Sequence, residues 1–220
     1  MEENQVTAID ILLEPDSAMI KSAKTANQRL REVFPKGFAV DEEHQPHVSC
    51  LQRFVKTADL DAIYEAVSSV LAVEKPTALR LKAYKYYYLP ANEGPLKGLG
   101  LAGMVIEPTG DLIRLQTKLI DAVAPFIAKT GTAAAFVTTK EDPSINQQTI
   151  DYVATFVPER TGGKFNPHVS TGLAPQDFLK KLLEEKFEAF SFSPVGAAVY
   201  QLGNFGTARK KLKSWTGREG

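Results

Sequence analysis

Apolar and polar positions along the chain change period several times, and they do so twice in the same order. Val6 to Leu13 is an apolar, β-prone run closed by Glu14-Pro15, which predicts a strand. Behind Asp16 or Ser17 as cap, Ile20, Ala23, Ala26, Leu30 and Val33 recur at helical spacing until Phe34-Pro35-Lys36-Gly37 breaks the pattern. Pro46 opens a short extended run, His47 to Phe54. Asp59 starts a second helix with Leu60, Ile63, Val67, Val70 and Leu71 on its apolar side. Pro76 stops it, and Ala78 to Leu89 follows as a long strand rich in tyrosine.

Gly94-Pro95 and Gly98 punctuate a turn, and the order begins again. Leu99 to Ile106 predicts a strand closed by Glu107-Pro108. Thr109 or Asp111 caps a helix carrying Leu112, Leu115, Leu119, Ile120 and Val123. Thr130 to Lys140 and Ile150 to Pro158 read as β-prone or irregular. Gln176 to Phe187 reads as the fourth helix and Phe190 to Leu202 as a closing strand or hairpin. A turn with Gly203, Gly206 and Thr207 leads to a basic tail, Arg209 to Arg218, which holds the single tryptophan, Trp215. The glycine spacing there is not that of a P-loop or a dinucleotide fingerprint, and a solvated tail is the plainer reading than an RNA-attracting one.

Each half therefore runs strand, Glu-Pro, helix, short strand, helix, long strand. The short strands carry the same tetrapeptide, Pro-His-Val-Ser, in QPHVSC and NPHVST. The Glu-Pro pairs lie 93 residues apart and the histidines 121, so the second half holds 28 further residues between its first helix and its histidine. These fall in 129–163, a candidate insertion or lid, since chains tolerate insertions in surface loops. We expect one domain over 1–220, with pseudo-repeat lobes at 6–90 and 99–205 that are free to exchange strands. Neither lobe covers its own sheet, so the two should pack around a pseudo-two-fold axis with a cleft between them.

Composition narrows the classes. The chain has 220 residues, 44% hydrophobic and 24% charged, with 26 basic and 26 acidic residues, which argues against a histone-like or polybasic membrane protein driven by bulk charge. One cysteine, Cys50, excludes a disulfide scaffold or a cysteine-based zinc site. The start of the chain shows no signal peptide, and no apolar run is long enough to span a bilayer; a cytoplasmic location without membrane association is the expectation.

Strand alternation puts His47 and Ser49 on one face and turns Val48 and Cys50 inward; it pairs His168 with Ser170 in the same way. Two such pairs facing one ligand suit a reaction that needs both a general base and a general acid, because imidazole titrates near neutrality. Serine hydroxyls can donate to the non-bridging oxygens of a phosphate. Together these groups match phosphodiester cleavage.

Paired His-x-Ser motifs in a duplicated chain resemble the 2H phosphoesterase superfamily, which includes bacterial 2′-5′ RNA ligases and cyclic nucleotide phosphodiesterases. The resemblance runs through both halves. It implies an α+β, duplicated bilobal fold with antiparallel sheets lining a central cleft and helices outside. It implies His47 and His168 as catalytic residues, Ser49 and Ser170 as phosphate-binding ones, no metal or other cofactor, and a monomer. The implied substrates carry a 2′,3′-cyclic phosphate or a related cyclic phosphodiester, as a cyclic nucleotide or an RNA end, or a 2′-5′ linkage. The long separation of the histidines and serines in place of threonines depart from the common pattern, and leave substrate and direction of reaction open.

Other residues are weaker candidates. Arg80, Lys82, Tyr84, Tyr86 and Tyr88 share one strand face unless a bulge intervenes, and Lys82, Tyr84 and Tyr86 could contact substrate by charge and stacking. Phe165 and Lys164, just before the second motif, could wall and charge the cleft. His44 has no twin in the other half, so a metal site of His44, His47 and His168 has little behind it, and Cys50 reads as a small core residue. The rival from another class is a non-catalytic RNA- or nucleotide-binding protein that keeps the cleft.

Overall fold

The two rounds of the sequence pattern become thirteen regular elements in a computed structural model, which describes residues 5–216 apart from Glu43 and Glu141. The first round is β1 (Val6–Pro15), α1 (Ser17–Val33), β2 (Val48–Lys56), α2 (Leu60–Glu74) and β3 (Leu81–Pro90). The second is β4 (Leu99–Ile106), α3 (Gly110–Val123), α4 (Gln147–Arg160), β5 (His168–Pro175), α5 (Gln176–Glu184), β6 (Phe190–Phe192), β7 (Pro194–Leu202) and β8 (Ala208–Thr216).

The Glu-Pro pairs end β1 and β4 because proline cannot extend a ladder, and the next residue in each half caps a helix. Asp16 accepts from the Ala18 and Met19 amides, and Thr109 accepts from Leu112, each contact adding about 1 kcal/mol. On α3, Leu112, Leu115, Leu119 and Val123 are buried as their spacing requires. On α1 the buried face is Met19, Ala23, Asn27 and Leu30, one position off the expected stripe, because Asn27 points inward. Its amide bonds the carbonyls of Phe38 and Thr171 and accepts from the Val40 amide, tying α1 to β5 and to the segment after it.

All eight strands fall into two antiparallel sheets, ordered β2-β1-β7-β8 and β5-β4-β3-β6. β3 thus pairs with the second round's strands, and β7 joins the first round's. The helices pack on the outside: α1 and α5 cover the sheet of β5, while α2 packs on α3 and α3 on β2. The fold is the α+β, two-lobed arrangement around a central cleft that the motifs implied. Among the described residues no helix is long and apolar enough to cross a membrane.

Two stretches differ from the sequence reading. Ile150 to Pro158 is helical, within α4, not β-prone or irregular. Its Ile, Val, Thr and aromatic content favours strand, but Asn146 caps it and Thr149, Val153 and Phe156 bury one helical face, so packing overrides propensity. The candidate insertion or lid, 129–163, packs against strands of the first sheet. Ala135, Phe136 and Val153 pack on Ala8, Phe54 and Leu202, and the Ala128 amide donates to Phe54 at the edge of β2. Finally, the basic tail is a strand: β8 pairs with β7, Trp215 opposite Ala197, and its lysines guard the exposed edge. Arg218 lies outside the described residues.

Candidate active site

β2 and β5 are edge strands of different sheets, and they approach each other across the cleft. Both carry their motif at the start, and in both the alternation works as expected: Val48 and Val169 are fully buried in one shared core cluster. His47, Ser49, His168 and Ser170 are left half-buried at the surface of the cleft. A positive charge on His47 opposes protonation of His168, so the two rings lie within electrostatic reach of each other.

The duplication extends to atoms that the sequence does not reveal. His47 Nδ1 lies 2.8 Å from the Gln45 carbonyl, and His168 Nδ1 lies 2.8 Å from the Asn166 carbonyl. A carbonyl only accepts, so Nδ1 carries the proton in both rings and Nε2 is left as the atom that exchanges protons. Directly after each motif the strand bulges by one residue, at Cys50 opposite Ile11/Leu12 and at Thr171 opposite Ala102/Gly103. A bulge moves every later side chain to the other face. That is why Gln52, out of step with His47 and Ser49, still joins their side.

Beneath the first pair lies Asp10 of β1, fully buried and directly opposite Gln52. Its Oδ2 accepts from Ser49 Oγ at 2.5 Å and from Gln52 Nε2 at 3.0 Å, and stands 3.8 Å from His47 Nε2. Asp10 Oδ1 has no hydrogen-bond partner among the described residues. Burial raises the Asp10 carboxyl above the usual carboxylate range, against the opposing pull of His47, Ser49 and Gln52. Beside the second pair stands Tyr87, whose ring centroid is 4.8 Å from that of His168. Burial holds the His168 imidazole below its ordinary value and pushes the Tyr87 phenol up.

The 129–163 segment contributes a wall. Tyr152 of α4 comes near enough to Asp10 for the carboxylate to oppose its ionisation, and the Arg160 guanidinium stacks 3.8 Å from the Tyr152 ring centroid. Gln116 holds the helix end in place, donating to the Cys50 and Arg160 carbonyls.

Other candidates lie elsewhere. A register shift between Ala83 and Lys85 turns the β3 tyrosines over, so Tyr86 and Tyr88 pack beneath α1 and α5, and Lys85, Tyr87 and Leu89 share the face of Gly103. Tyr86 meets Phe187 edge-on at 4.7 Å, Lys82 is 3.8 Å from Glu107, and Tyr84 stays exposed with Lys85 over its ring. Phe165 is buried in the main core instead of walling the cleft, and the exposed Lys164 amine bonds the Pro158 carbonyl. His44 stacks on Phe38 and neighbours Asp41; among the described residues no three His, Cys, Asp or Glu side chains group to hold a metal ion.

No family model matches the sequence, and no curated protein is similar to it. Solved structures do match. The crystal structure of TT0787 of Thermus thermophilus superposes with a TM-score of 0.51 over 96% of this chain and 97% of that one, at 16% identity. The chain has the fold of TT0787. At that identity the likeness is one of fold. Usb1 of Kluyveromyces marxianus with uridine monophosphate (TM-score 0.44, 10% identity, 96% and 98% of the two chains) and apo LigT of E. coli (0.41, 11%, 97% and 98%) superpose more loosely and add nothing to the assignment.

Proposed function

We propose that this chain is a 2H-type phosphoesterase that opens a 2′,3′-cyclic phosphate or a 2′-5′ phosphodiester with two histidines as general base and general acid and without a metal. The observation that carries the reading is the duplicated presentation of the rings: two imidazoles anchored alike through Nδ1, each with a serine two residues on, brought together from two sheets. The resemblance of the motifs to the 2H superfamily and the shared fold point the same way.

The two environments suggest a division of labour. His168, desolvated and disfavoured as a cation, is suited to take a proton from water. His47, whose Nε2 stands 3.8 Å from Asp10 Oδ2, then protonates the departing oxygen. In ligation the roles exchange. Ser170, whose hydroxyl makes no hydrogen bond among the described residues, is free to hold a phosphate oxygen, and Arg160 and Tyr152 supply charge and a ring at the cleft wall.

The test is turnover of 2′,3′-cyclic mononucleotides and 2′-5′ oligonucleotides in EDTA. His47→Ala and His168→Ala should each lower the rate by about 10²- to 10⁴-fold while the fold persists. Binding of these ligands without turnover would leave the nucleotide-binding reading, and activity lost in EDTA but restored by zinc would call for a metal.

A further inference from the structure

Ser49 and Asp10 pose a problem for any anion that enters the cleft. Ser49 has one hydroxyl proton, and it is directed at Asp10 Oδ2. In that arrangement the serine offers an oncoming oxyanion only lone pairs. A carboxyl group sits immediately behind it, with one oxygen served by two donors and the other, Oδ1, buried and without a partner among the described residues. A buried carboxylate with half its acceptor sites empty is a poor home for a negative charge and a good one for a proton.

We propose that Asp10 takes up one proton when an oxyanion occupies the cleft, and that Ser49 thereby turns from the carboxyl to the ligand. The proton comes from solvent and binds Oδ2. The new O–H donates to Ser49 Oγ, the Ser49 hydroxyl donates to the anion, and Gln52 keeps its bond to the remaining lone pair of Oδ2. No covalent bond changes. Asp10 is a positioning residue in this scheme, since it meets the ligand only through Ser49. The second half has no such device: Leu101 of β4, opposite Leu173, stands at the ladder position that Asp10 holds opposite Gln52, and Ser170 needs no release.

The groups facing Asp10 leave few rival proton carriers. β2 brings His47 and Cys50, and α4 brings Tyr152. From β7, Tyr200 is the cross-strand neighbour, and its hydroxyl is committed to Glu14, which also holds Lys211. Burial raises the Cys50 thiol and the Tyr152 phenol further from neutrality. Of these side-chain types only imidazole ordinarily titrates in the same region as a buried carboxyl.

The experiment titrates the full chain with sulfate, an oxyanion that does not itself take up protons near neutrality. Sulfate also cannot be turned over, so although the proposal rests on the phosphoesterase reading, failure of the substrate assignment leaves its outcome unaffected. Calorimetry in buffers of different ionisation enthalpy counts the protons bound per anion. Wild type should take up about one at Asp10, weakening sulfate by about tenfold per pH unit above the carboxyl's titration.

Asp10→Asn mimics the proton-loaded state, because its amide can donate to Ser49. It should bind sulfate more tightly than wild type at alkaline pH, with this part of the proton uptake gone. Ser49→Ala should flatten the same slope, and it serves independently if Asp10→Asn does not fold. Uptake that survives both substitutions would assign the proton to a histidine and overturn the proposal. So would Asp10→Asn binding no tighter than wild type at alkaline pH, or sulfate failing to bind wild type at any pH.

Discussion

His47 and His168 hang from edge strands with the same bulge, the same anchored ring and the same serine two residues on, yet one faces a buried carboxylate and the other a tyrosine ring. Aligned on the motif and the bulge, Leu12 opposite Ser49 matches Gly103 opposite Ser170, and Asp10 matches Leu101. A Cβ at Gly103 would lie 2.8 Å from the Val169 carbonyl and 3.3 Å from the Tyr87 ring, so where the first half carries a leucine side chain the second leaves room for an aromatic ring. Duplication supplied two matching imidazoles. The strands beside them set their surroundings apart, and the contrast can be attacked from either side.

The largest effect should come from filling the space that the second half leaves beside Tyr87. Gly103→Asp adds both a backbone clash and an unpaired buried charge, and should cost more than about 3 kcal/mol in chemical denaturation. An unchanged midpoint would show that Tyr87 does not need that space. The serines come next. Ser49→Ala removes a donor to the buried Asp10 and should cost about 1 to 3 kcal/mol, whereas Ser170→Ala should stay within about 0.5 kcal/mol. Equal losses would erase the distinction drawn between them.

A third, subtler readout is the titration of His168 by NMR, which should fall below the usual imidazole midpoint of about 6.5. The sign for stability follows. Below about pH 6.5 the unfolded chain takes up a proton that the folded chain refuses at His168, so this residue's contribution weakens as pH falls, down to its folded midpoint. Tyr87→Ala admits water and should raise that midpoint. The smallest effect belongs to Tyr87→Phe, which keeps the ring contact and should leave both the midpoint and stability, within about 0.5 kcal/mol, where they were.

What the sequence disclosed about this contrast was its symmetric part. Alternation alone put Val48 and Val169 in the core, and the Glu-Pro boundaries found both caps. The asymmetric part was hidden because it depends on partners. Gln52 reaches Asp10 only through a bulge whose position is set by pairing with β1, and the flip of β3 at Tyr84 is likewise a matter of register with β4. Tyr152 and Arg160 were masked by a helix that reads as strand until its buried face is known. Asp10 did leave a trace: a lone acid in VTAIDILL is unexpected in a fully apolar strand, and such a residue is buried only with partners.

The exchange of β3 and β7 between the sheets bears on how the chain can be assembled. β1 has a neighbour on each side only once residues 194–202 have been made, so the first hundred residues cannot settle on their own during synthesis. If the polypeptide is cut at the 91–98 connection, each fragment lacks a strand that the other holds. Neither should be soluble alone, and mixing them from denaturant should regenerate the whole molecule.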